Sequence, residues 1–355
     1  MGDRVDTAED DRMICPHCQR DLKRKERSDY RCYYCRRQFA LEPKEGDIVM
    51  HDVRVRKLAD KLSDGGRLRY TLPQLWYAAA RGRLRDPVDT AGVIGCTVVG
   101  LSVFVQLPIA VISSFDWGLI LSAVLIMVGV WIVTYLVLKF ALVPWCKRNG
   151  KVPMPEELEK FRSRVRRWEV VYREPPPRMA DETNLVVPEI AEPRVAIVVP
   201  DRAVLACLAA SGVPGEHEAA LVGSLAHVPP GVPVIVLHDA SPQGIRLACE
   251  ARAAFGARTV TPGLRPNAVM GQEKAIKLRE RRPTGAEMRS LRDLRPGLTE
   301  DELTWLGNGW YTPLASVPPA KLLAALTRAI TRATSGPGAE TATAERVGFL
   351  TWPGA

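Results

Sequence analysis

Two long uncharged runs dominate the hydrophobic pattern of this chain. Residues 91–114 carry no charge, and as a helix they would span about 36 Å against a hydrocarbon core of roughly 30 Å. Residues 118–138 are also uncharged, and Trp117 and Trp145 flank them as interfacial anchors. Two such runs separated by only three residues would need an unusually large core in a soluble protein. The pattern therefore predicts a two-helix transmembrane hairpin over residues 91–145.

The charges around the two runs are one-sided. Basic residues precede the first run and follow the second, whereas the turn between them carries only Asp116: Arg81, Arg83, Arg85, Lys147, Arg148 and Lys151. Basic residues flanking membrane helices stay on the cytoplasmic side. We therefore expect a multi-pass protein of the inner cell membrane, with both termini cytoplasmic. The first 40 residues lack an apolar stretch, so we expect no cleaved signal peptide.

Helical periodicity appears on both sides of the predicted hairpin. Residues 47–85 predict two helices, and Thr71 with Gln74 forms a capping box at the start of the second. Residues 155–173 predict a basic amphipathic helix with Phe161 and Trp168 on its apolar stripe. That helix either lies in the headgroup layer or docks on the domain that follows it. Prolines then open a linker that extends to about residue 193.

The C-terminal part alternates between short apolar runs and helical segments. Residues 194–200 and 232–239 are rich in β-branched residues, and residues 258–260 give a third strand. Helices are predicted between these runs, and residues 319–332 form a last amphipathic helix. This order predicts a doubly wound parallel sheet, with functional residues at the carboxyl ends of its strands. Asp201, His238 and Asp239 occupy those positions.

The formal charge of the chain is +9, which favours an anionic partner. Nucleic acid and phospholipid headgroups both fit this charge. Residues 272–295 are strongly basic and form either a nucleic-acid surface or a solvated helix face. The sequence leaves both choices open.

Four of the eight cysteines form two C-x-x-C pairs, Cys15/Cys18 and Cys32/Cys35. Two such turns supply a closed tetrahedral shell of four sulfur atoms, which is typical of structural zinc, with iron as the minor alternative. A closed shell leaves no open position for hydrolytic chemistry. We expect His17 to be an exposed turn residue, and the remaining cysteines are single: Cys96, Cys146, Cys207 and Cys249.

Residues 13–40 resemble a zinc ribbon. Around the cysteines lie basic and aromatic side chains that suit phosphates and stacked bases: Arg20, Lys23, Arg24, Lys25, Arg27, Arg31, Arg36, Arg37, Tyr30, Tyr33, Tyr34 and Phe39. The resemblance implies contact with nucleic acid or protein, or a bracing role. A solvated basic face that satisfies the positive-inside rule is the alternative.

Residues 234–248 carry a hydrophobic strand followed by His-Asp-Ala-Ser-Pro-Gln-Gly. This stretch resembles Toprim domains, particularly those of the topoisomerase VI A-subunit type, and the resemblance covers residues 194–263. It implies Mg²⁺ held near a phosphodiester by a strand-end glutamate and an Asp-x-Asp pair. This chain retains Asp239 but has Ser241 in the second position, and Asp201 stands where the glutamate is expected. We therefore expect a degenerate, non-catalytic site.

The sequence thus predicts a multidomain membrane protein with a zinc ribbon, a transmembrane hairpin and a Toprim-like α/β domain. The predicted segments are a ribbon (1–45), a helical adaptor (46–90), the hairpin (91–145), a basic helix with linker (151–193), the α/β domain (194–334) and a disordered tail (335–355). We expect a binding or scaffolding protein at the cytoplasmic membrane face, contacting the lipid bilayer and a nucleic-acid or protein partner. The alternative is a Mg²⁺-dependent phosphodiester- or nucleotide-processing enzyme that uses Asp201 and Asp239, with His238 as acid or base.

Overall fold

A computed structural model describes residues 13–84, 97, 117–145, 150–293 and 297–334. In chain order its helices are α1 (Asp52–Leu62), α2 (Leu72–Ala80), α3 (Trp117–Val137), α4 (Leu158–Tyr172), α5 (Arg202–Ala210), α6 (Val213–His217), α7 (Pro242–Phe255), α8 (Pro266–Met270), α9 (Gly285–Asp293), α10 (Glu300–Gly307) and α11 (Pro319–Thr334). Its strands are β1 (Met13–Ile14), β2 (Asp21–Leu22), β3 (Tyr70–Thr71), β4 (Met179–Ala180), β5 (Val195–Val198), β6 (Ala219–Val222), β7 (Val234–Val236), β8 (Thr259–Val260), β9 (Leu278–Arg279) and β10 (Trp310–Tyr311). The chain divides into two compact units, one formed by Met1–Arg83 with Met154–Ala355 and the other by Leu84–Pro153.

The larger unit contains a parallel four-stranded sheet in the order β6-β5-β7-β8. Strands β5, β7 and β8 were all predicted. Strands β5 and β7, which were predicted as continuous apolar runs, are buried throughout. Strand β6 was not predicted, because its four residues form an edge strand in which buried and partly exposed positions alternate. The chain leaves β5 toward one side of the sheet and returns to its other side as β7. This reversal creates a crevice at the carboxyl ends of β5 and β7.

Helices cover both faces of this sheet. Ile197 and Ile235 pack with Leu208 of α5 and Leu326 of α11 in the main core, and Ala251 of α7 packs on the opposite face. The final amphipathic helix is confirmed, since α11 buries Leu322, Leu326 and Ile330 on one face. The basic stretch 272–295 is not one helix, because it contains β9 before α9 and Arg279 is buried in it.

A second core joins α1, α2 and α4. The two adaptor helices are confirmed, and the amide of Thr71 donates to Oε1 of Gln74 at 3.0 Å, as predicted for the cap. Phe161 and Trp168, on the apolar stripe of α4, are buried against these helices. Helix α4 therefore docks on the adaptor that precedes it in sequence. It neither exposes an apolar stripe to headgroups nor relies on the following domain to cover it.

The predicted proline-rich linker after α4 contains regular structure. Strand β4 pairs in parallel with β3, so this segment returns to the adaptor. Glu182 then pairs with Arg162 of α4 at 2.7 Å. The prediction of a linker, which rested on proline content, is therefore wrong for this segment. Backbone pairing with a strand about 110 residues earlier gives it regular structure.

The second uncharged run forms α3, which starts at Trp117 and continues through a π-helical turn, Leu138–Leu142. In the described part of the chain one helix is long and apolar enough to cross a membrane, and its window Val128–Trp145 is not buried against protein. The helix extends beyond the predicted end at residue 138 and includes Lys139. The first predicted span, residues 91–114, lies outside the described residues except for Thr97, as does the tail from residue 335.

Candidate functional site

The four cysteine sulfur atoms converge on one point. All four Sγ atoms lie within 4.8 Å of one another, with Cys15 to Cys35 at 3.7 Å and Cys18 to Cys32 at 3.8 Å. A tetrahedral zinc site with Zn–S bonds of about 2.3 Å has sulfur atoms about 3.8 Å apart. The residues therefore fit a zinc ion, and this set of ligands matches the sequence prediction.

Each cysteine pair sits on the same kind of backbone turn. The amide of Gln19 donates to the carbonyl of Cys15 at 3.1 Å, and that of Arg36 donates to the carbonyl of Cys32 at 2.9 Å. Gln19 and Arg36 both adopt φ of 59°, in the left-handed region. A tight reversal at this position aims both sulfur atoms of a pair inward, which is why the C-x-x-C spacing predicts the site.

The environment makes the thiols unequal. Burial raises the pKa of Cys15 to about 12. Burial also acts to raise the pKa of Cys32, but hydrogen bonds from the backbone amides of Cys35 and Tyr34 and from the thiols of Cys35 and Cys15 together outweigh it and lower that pKa to about 7. Because metal ligation requires thiolates, binding of an ion by all four sulfurs releases protons.

His17 stands inside the first knuckle but does not join the cysteine cluster. Its Nε2 lies 2.8 Å from the carbonyl oxygen of Gln38, and its ring centroid is 6.2 Å from that of Tyr172. The side chain is partly buried rather than exposed. His17 therefore links the first knuckle to Gln38 within the ribbon, and its ring also contacts Tyr172 of helix α4.

A buried carboxylate fastens the base of the ribbon to the helices. Asp52, at the start of α1, is fully buried and accepts the amides of Ala40 and Leu41 at 2.9 Å each. The hydroxyl of Tyr172 donates to the same carboxylate. Burial raises the pKa of Asp52, and these three donors oppose that rise. The ribbon is thus held on a rigid support, because a buried acceptor without its donors would be costly.

The outer face of the ribbon is strongly cationic. Within residues 13–40 the exposed charged side chains comprise seven cations and two acids: Arg20, Lys23, Arg24, Lys25, Arg31, Arg36 and Arg37, against Asp21 and Asp29. Tyr33 and Tyr34 are exposed among them. We call these nine cationic and tyrosine side chains the ribbon face.

Three members of the predicted basic and aromatic set do not belong to this face. Phe39 is buried in the protein, and Arg27 is buried against Glu42 at 3.2 Å. Tyr30 is partly buried, and the guanidinium of Arg167 lies 4.2 Å from its ring centroid. Sequence composition cannot separate these roles, since burial here is set by contacts with α4 and the segment before α1.

The carboxyl ends of β5 and β7 bring Asp201 and Asp239 to the crevice, but the chain itself fills that place. One oxygen of Asp201 accepts the amides of Ala203 at 2.8 Å and Val204 at 3.2 Å, and the carboxylate also receives the amide of Ala315. Asp239 accepts the amide of Leu314 at 2.7 Å. The turn Leu314–Ser316 therefore lies against both carboxylates.

These surroundings raise the pKa of both acids. Burial raises the pKa of Asp201, against the pull of the three amides. Burial raises the pKa of Asp239 to about 6, with the amide of Leu314 opposing and the charge of Asp201 adding to the rise. Asp239, which is partly neutral near pH 6 and already bonded to the amide of Leu314, is a weak ligand for a divalent cation.

His238 and Ser241 serve the structure around Asp239. The imidazole of His238 is buried beside Gly263, where an added Cβ would lie 2.2 Å from its Cδ2, and burial lowers its pKa to about 4. Ser241 caps α7, because its hydroxyl accepts the amide of Gly244 at 3.0 Å. In the described residues, the four cysteines form the one group of three or more His, Cys, Asp or Glu side chains that could hold a metal.

Two cavities flank the strand ends. One of about 320 Å³ lies beside Asp239 and is lined by Glu280, Trp310 and Tyr311, and the other, of about 440 Å³, lies beside Asp201 and is lined by Tyr77 and Glu182. The hydroxyl of Tyr311 donates to Glu280 at 2.9 Å. Sequence reasoning missed these residues. No local pattern marks them, because they come from segments distant in sequence.

Comparison of the chain with protein-family models, with curated proteins and with solved structures finds no match. The likeness of residues 194–263 to Toprim domains therefore rests on the sequence alone.

Proposed function

We propose that this protein is a membrane-anchored binding protein, in which a zinc-stabilised ribbon is presented to an anionic partner at the cytoplasmic face. The observation that carries the proposal is the ribbon face, whose seven exposed cations and two exposed tyrosines stand against only two exposed acids within residues 13–40. Such an excess of cations steers and holds polyanions through counterion release. The rigid attachment of the ribbon through Asp52 supports a presenting role, since a fixed surface loses less entropy on binding.

The membrane anchor is supported by α3 and the flanking charges. From Leu125 onward, α3 and the π-helical turn after it expose large apolar side chains, including Leu125, Ile132 and Phe140. Such a surface is stable in lipid and unfavourable in water. Arg81 and Arg83 before the uncharged segment and Lys151 after it favour a hairpin with both ends in the cytoplasm, as the sequence predicts.

The α/β domain serves the binding protein as a non-catalytic support in this proposal. Backbone amides of the turn Leu314–Ser316 already bond to Asp201 and Asp239, and the buried ring of His238 faces Gly263. The alternative enzyme would need Mg²⁺ at these two carboxylates. Among the described residues, no third His, Cys, Asp or Glu side chain lies close enough to these two carboxylates to complete such a site.

The test uses the full chain, loaded with zinc and reconstituted in nanodiscs of neutral phosphatidylcholine. We expect retention on immobilised heparin that falls steeply with salt. The double variant Arg31→Glu/Arg37→Glu should elute at much lower salt, because it reverses two charges of the ribbon face. Lys57→Glu/Lys61→Glu is the matched control, since it reverses two exposed charges on α1 and should elute close to the unaltered protein.

Equal elution of the two double variants would contradict the proposal. Membranes washed with alkaline carbonate should retain the protein, and its release into the wash would remove the anchor. Mg²⁺-dependent cleavage of DNA, RNA or a nucleotide that is lost in Asp239→Asn would replace the proposal with the enzyme alternative.

A further inference from the structure

The second zinc knuckle carries two exposed tyrosines in a fixed arrangement. Tyr33 is 58% exposed and Tyr34 is 44% exposed. Their rings meet edge to face, with centroids 5.5 Å apart and an interplanar angle of 87°. The guanidinium of Arg36 lies 5.0 Å from the ring centroid of Tyr33, and that of Arg20 lies 4.7 Å from that of Tyr34. Each ring is therefore backed by a cation.

The hydroxyl of Tyr34 is engaged within the ribbon. It donates to one oxygen of Glu26 at 2.9 Å, and the other oxygen of Glu26 accepts the amide of Lys23 at 2.9 Å. The ring is thus held at its tip by Glu26, at one face by Arg20 and on another side by Tyr33. What Tyr34 offers to a partner is ring surface rather than a polar tip.

We propose that Tyr33 and Tyr34 form a stacking platform for the bases of single-stranded nucleic acid, while the surrounding cations hold its phosphates. This inference rests on the proposed function and names the class of its anionic partner. Every unpaired base has a π-face that can stack on an aromatic ring without sequence readout, and arginine adds cation–π attraction. In a duplex those faces are already stacked on neighbouring bases, so the platform favours a single strand.

The geometry favours nucleic acid over a lipid surface as the partner. An aromatic residue at a membrane interface directs its polar tip to the headgroups and its ring to the acyl chains. Here the tip of Tyr34 is bonded to Glu26, and guanidinium groups lie over both rings. Burying these rings in acyl chains would also draw two charges out of water, which is costly.

In the test, the zinc-loaded full chain in phosphatidylcholine nanodiscs is titrated into a labelled oligothymidine of about 20 nucleotides or into a labelled duplex of equal length. Binding is followed by the fluorescence anisotropy of the label. We expect the single strand to bind more tightly than the duplex. Tyr33→Ala should weaken binding to the single strand by about 10-fold, a value near the lower end of what alanine substitution gives for one base stacked on an aromatic residue. Tyr33→Phe retains the ring and should bind like the unaltered protein.

Tyr33→Leu separates stacking from simple apolar contact. It should bind as weakly as Tyr33→Ala if the π-face is used, and binding of the leucine variant at the unaltered strength would overturn the inference. Zinc content measured for each variant shows that the ribbon is intact. Tight binding to phosphatidylglycerol vesicles that depends on Tyr33, without single-strand binding, would assign the platform to the membrane instead.

The two proposals fail in different ways. Retention on heparin without any binding of the oligothymidine would contradict the stacking platform and leave the anionic-partner proposal standing. Loss of heparin retention itself would remove the proposed function.

Discussion

A buried ion pair in the larger unit gives a quantitative test of its assembly. Nη1 of Arg164 lies 2.8 Å from a carboxylate oxygen of Glu156, and the two side chains are 4% and 0% exposed. The same carboxylate oxygen accepts the amide of Ile48 at 3.2 Å, and Nη1 of Arg164 donates to the carbonyl of Ile48 at 3.1 Å. The pair thus joins the chain before α1 to the chain beginning α4.

Replacing Arg164 by methionine should lower the free energy of unfolding by about 3–5 kcal/mol, because Glu156 would remain as a buried carboxylate without the opposite charge of Arg164. In Arg164→Met/Glu156→Gln no charge is left buried, and the glutamine oxygen still accepts the amide of Ile48. The loss of unfolding free energy in this double variant should be smaller than the sum of the losses in the two single variants. The measurement is urea unfolding of the full chain in detergent, followed by tryptophan fluorescence.

Arg166→Met is the matched control, since Arg166 is exposed on the same helix and its replacement should change stability by at most about 0.5 kcal/mol. A loss below about 1 kcal/mol in Arg164→Met would refute the assignment of a buried, mutually dependent pair. Strict additivity of the two single changes would refute it equally.

Four further outcomes follow from the other features. The pKa of Asp239 is raised from 3.8 to about 6. The stability that Asp239 contributes is therefore present below about pH 4 and is lost as the pH rises through 6, by at most about 3 kcal/mol. Urea unfolding across this range should show a flatter dependence of the free energy of unfolding on pH in Asp239→Asn. Cys32→Ser should abolish binding of the one zinc per chain, as measured by elemental analysis of protein purified with zinc supplied. Gln19→Gly should leave the melting temperature of the zinc-loaded protein equal or higher, whereas Gln19→Val should lower it, because φ is 59°. A reporter fused at residue 116 should be active outside the cytoplasm, and reporters at either end inside it.

Local chemistry predicted the parts of this molecule that depend on near neighbours. The C-x-x-C turns place four sulfurs together, and Thr71 with Gln74 forms the predicted capping box. The apolar runs of β5 and β7 are buried strands, since only such runs suit a sheet covered on both faces.

The features that the sequence did not predict depend on contacts between distant segments. Asp52 and Arg164 are buried, although a charge in a helical pattern normally indicates a solvated position. Besides nearby partners, Asp52 bonds to Tyr172 and Arg164 bonds to Ile48, each across more than 100 residues. The turn Leu314–Ser316 reaches Asp239 across 75 residues, and no pattern in either segment indicates that the crevice is filled from within.

The pairing of β3 with β4 also constrains the order in which this protein is built. Leu84–Pro153 separates the two parts of the larger unit, and at roughly 5–20 residues per second its 70 residues take about 4–14 s to synthesise. During that interval Tyr70 and Thr71 have been made, but the strand that pairs with them has not, and Phe161 and Trp168 are still missing from the second core. The ribosome therefore delivers the apolar segment before the larger unit can close, so the fold of that unit is completed only after this segment has been synthesised. Until α4 has been synthesised, the base of the ribbon lacks the hydrogen bond from Tyr172 to Asp52.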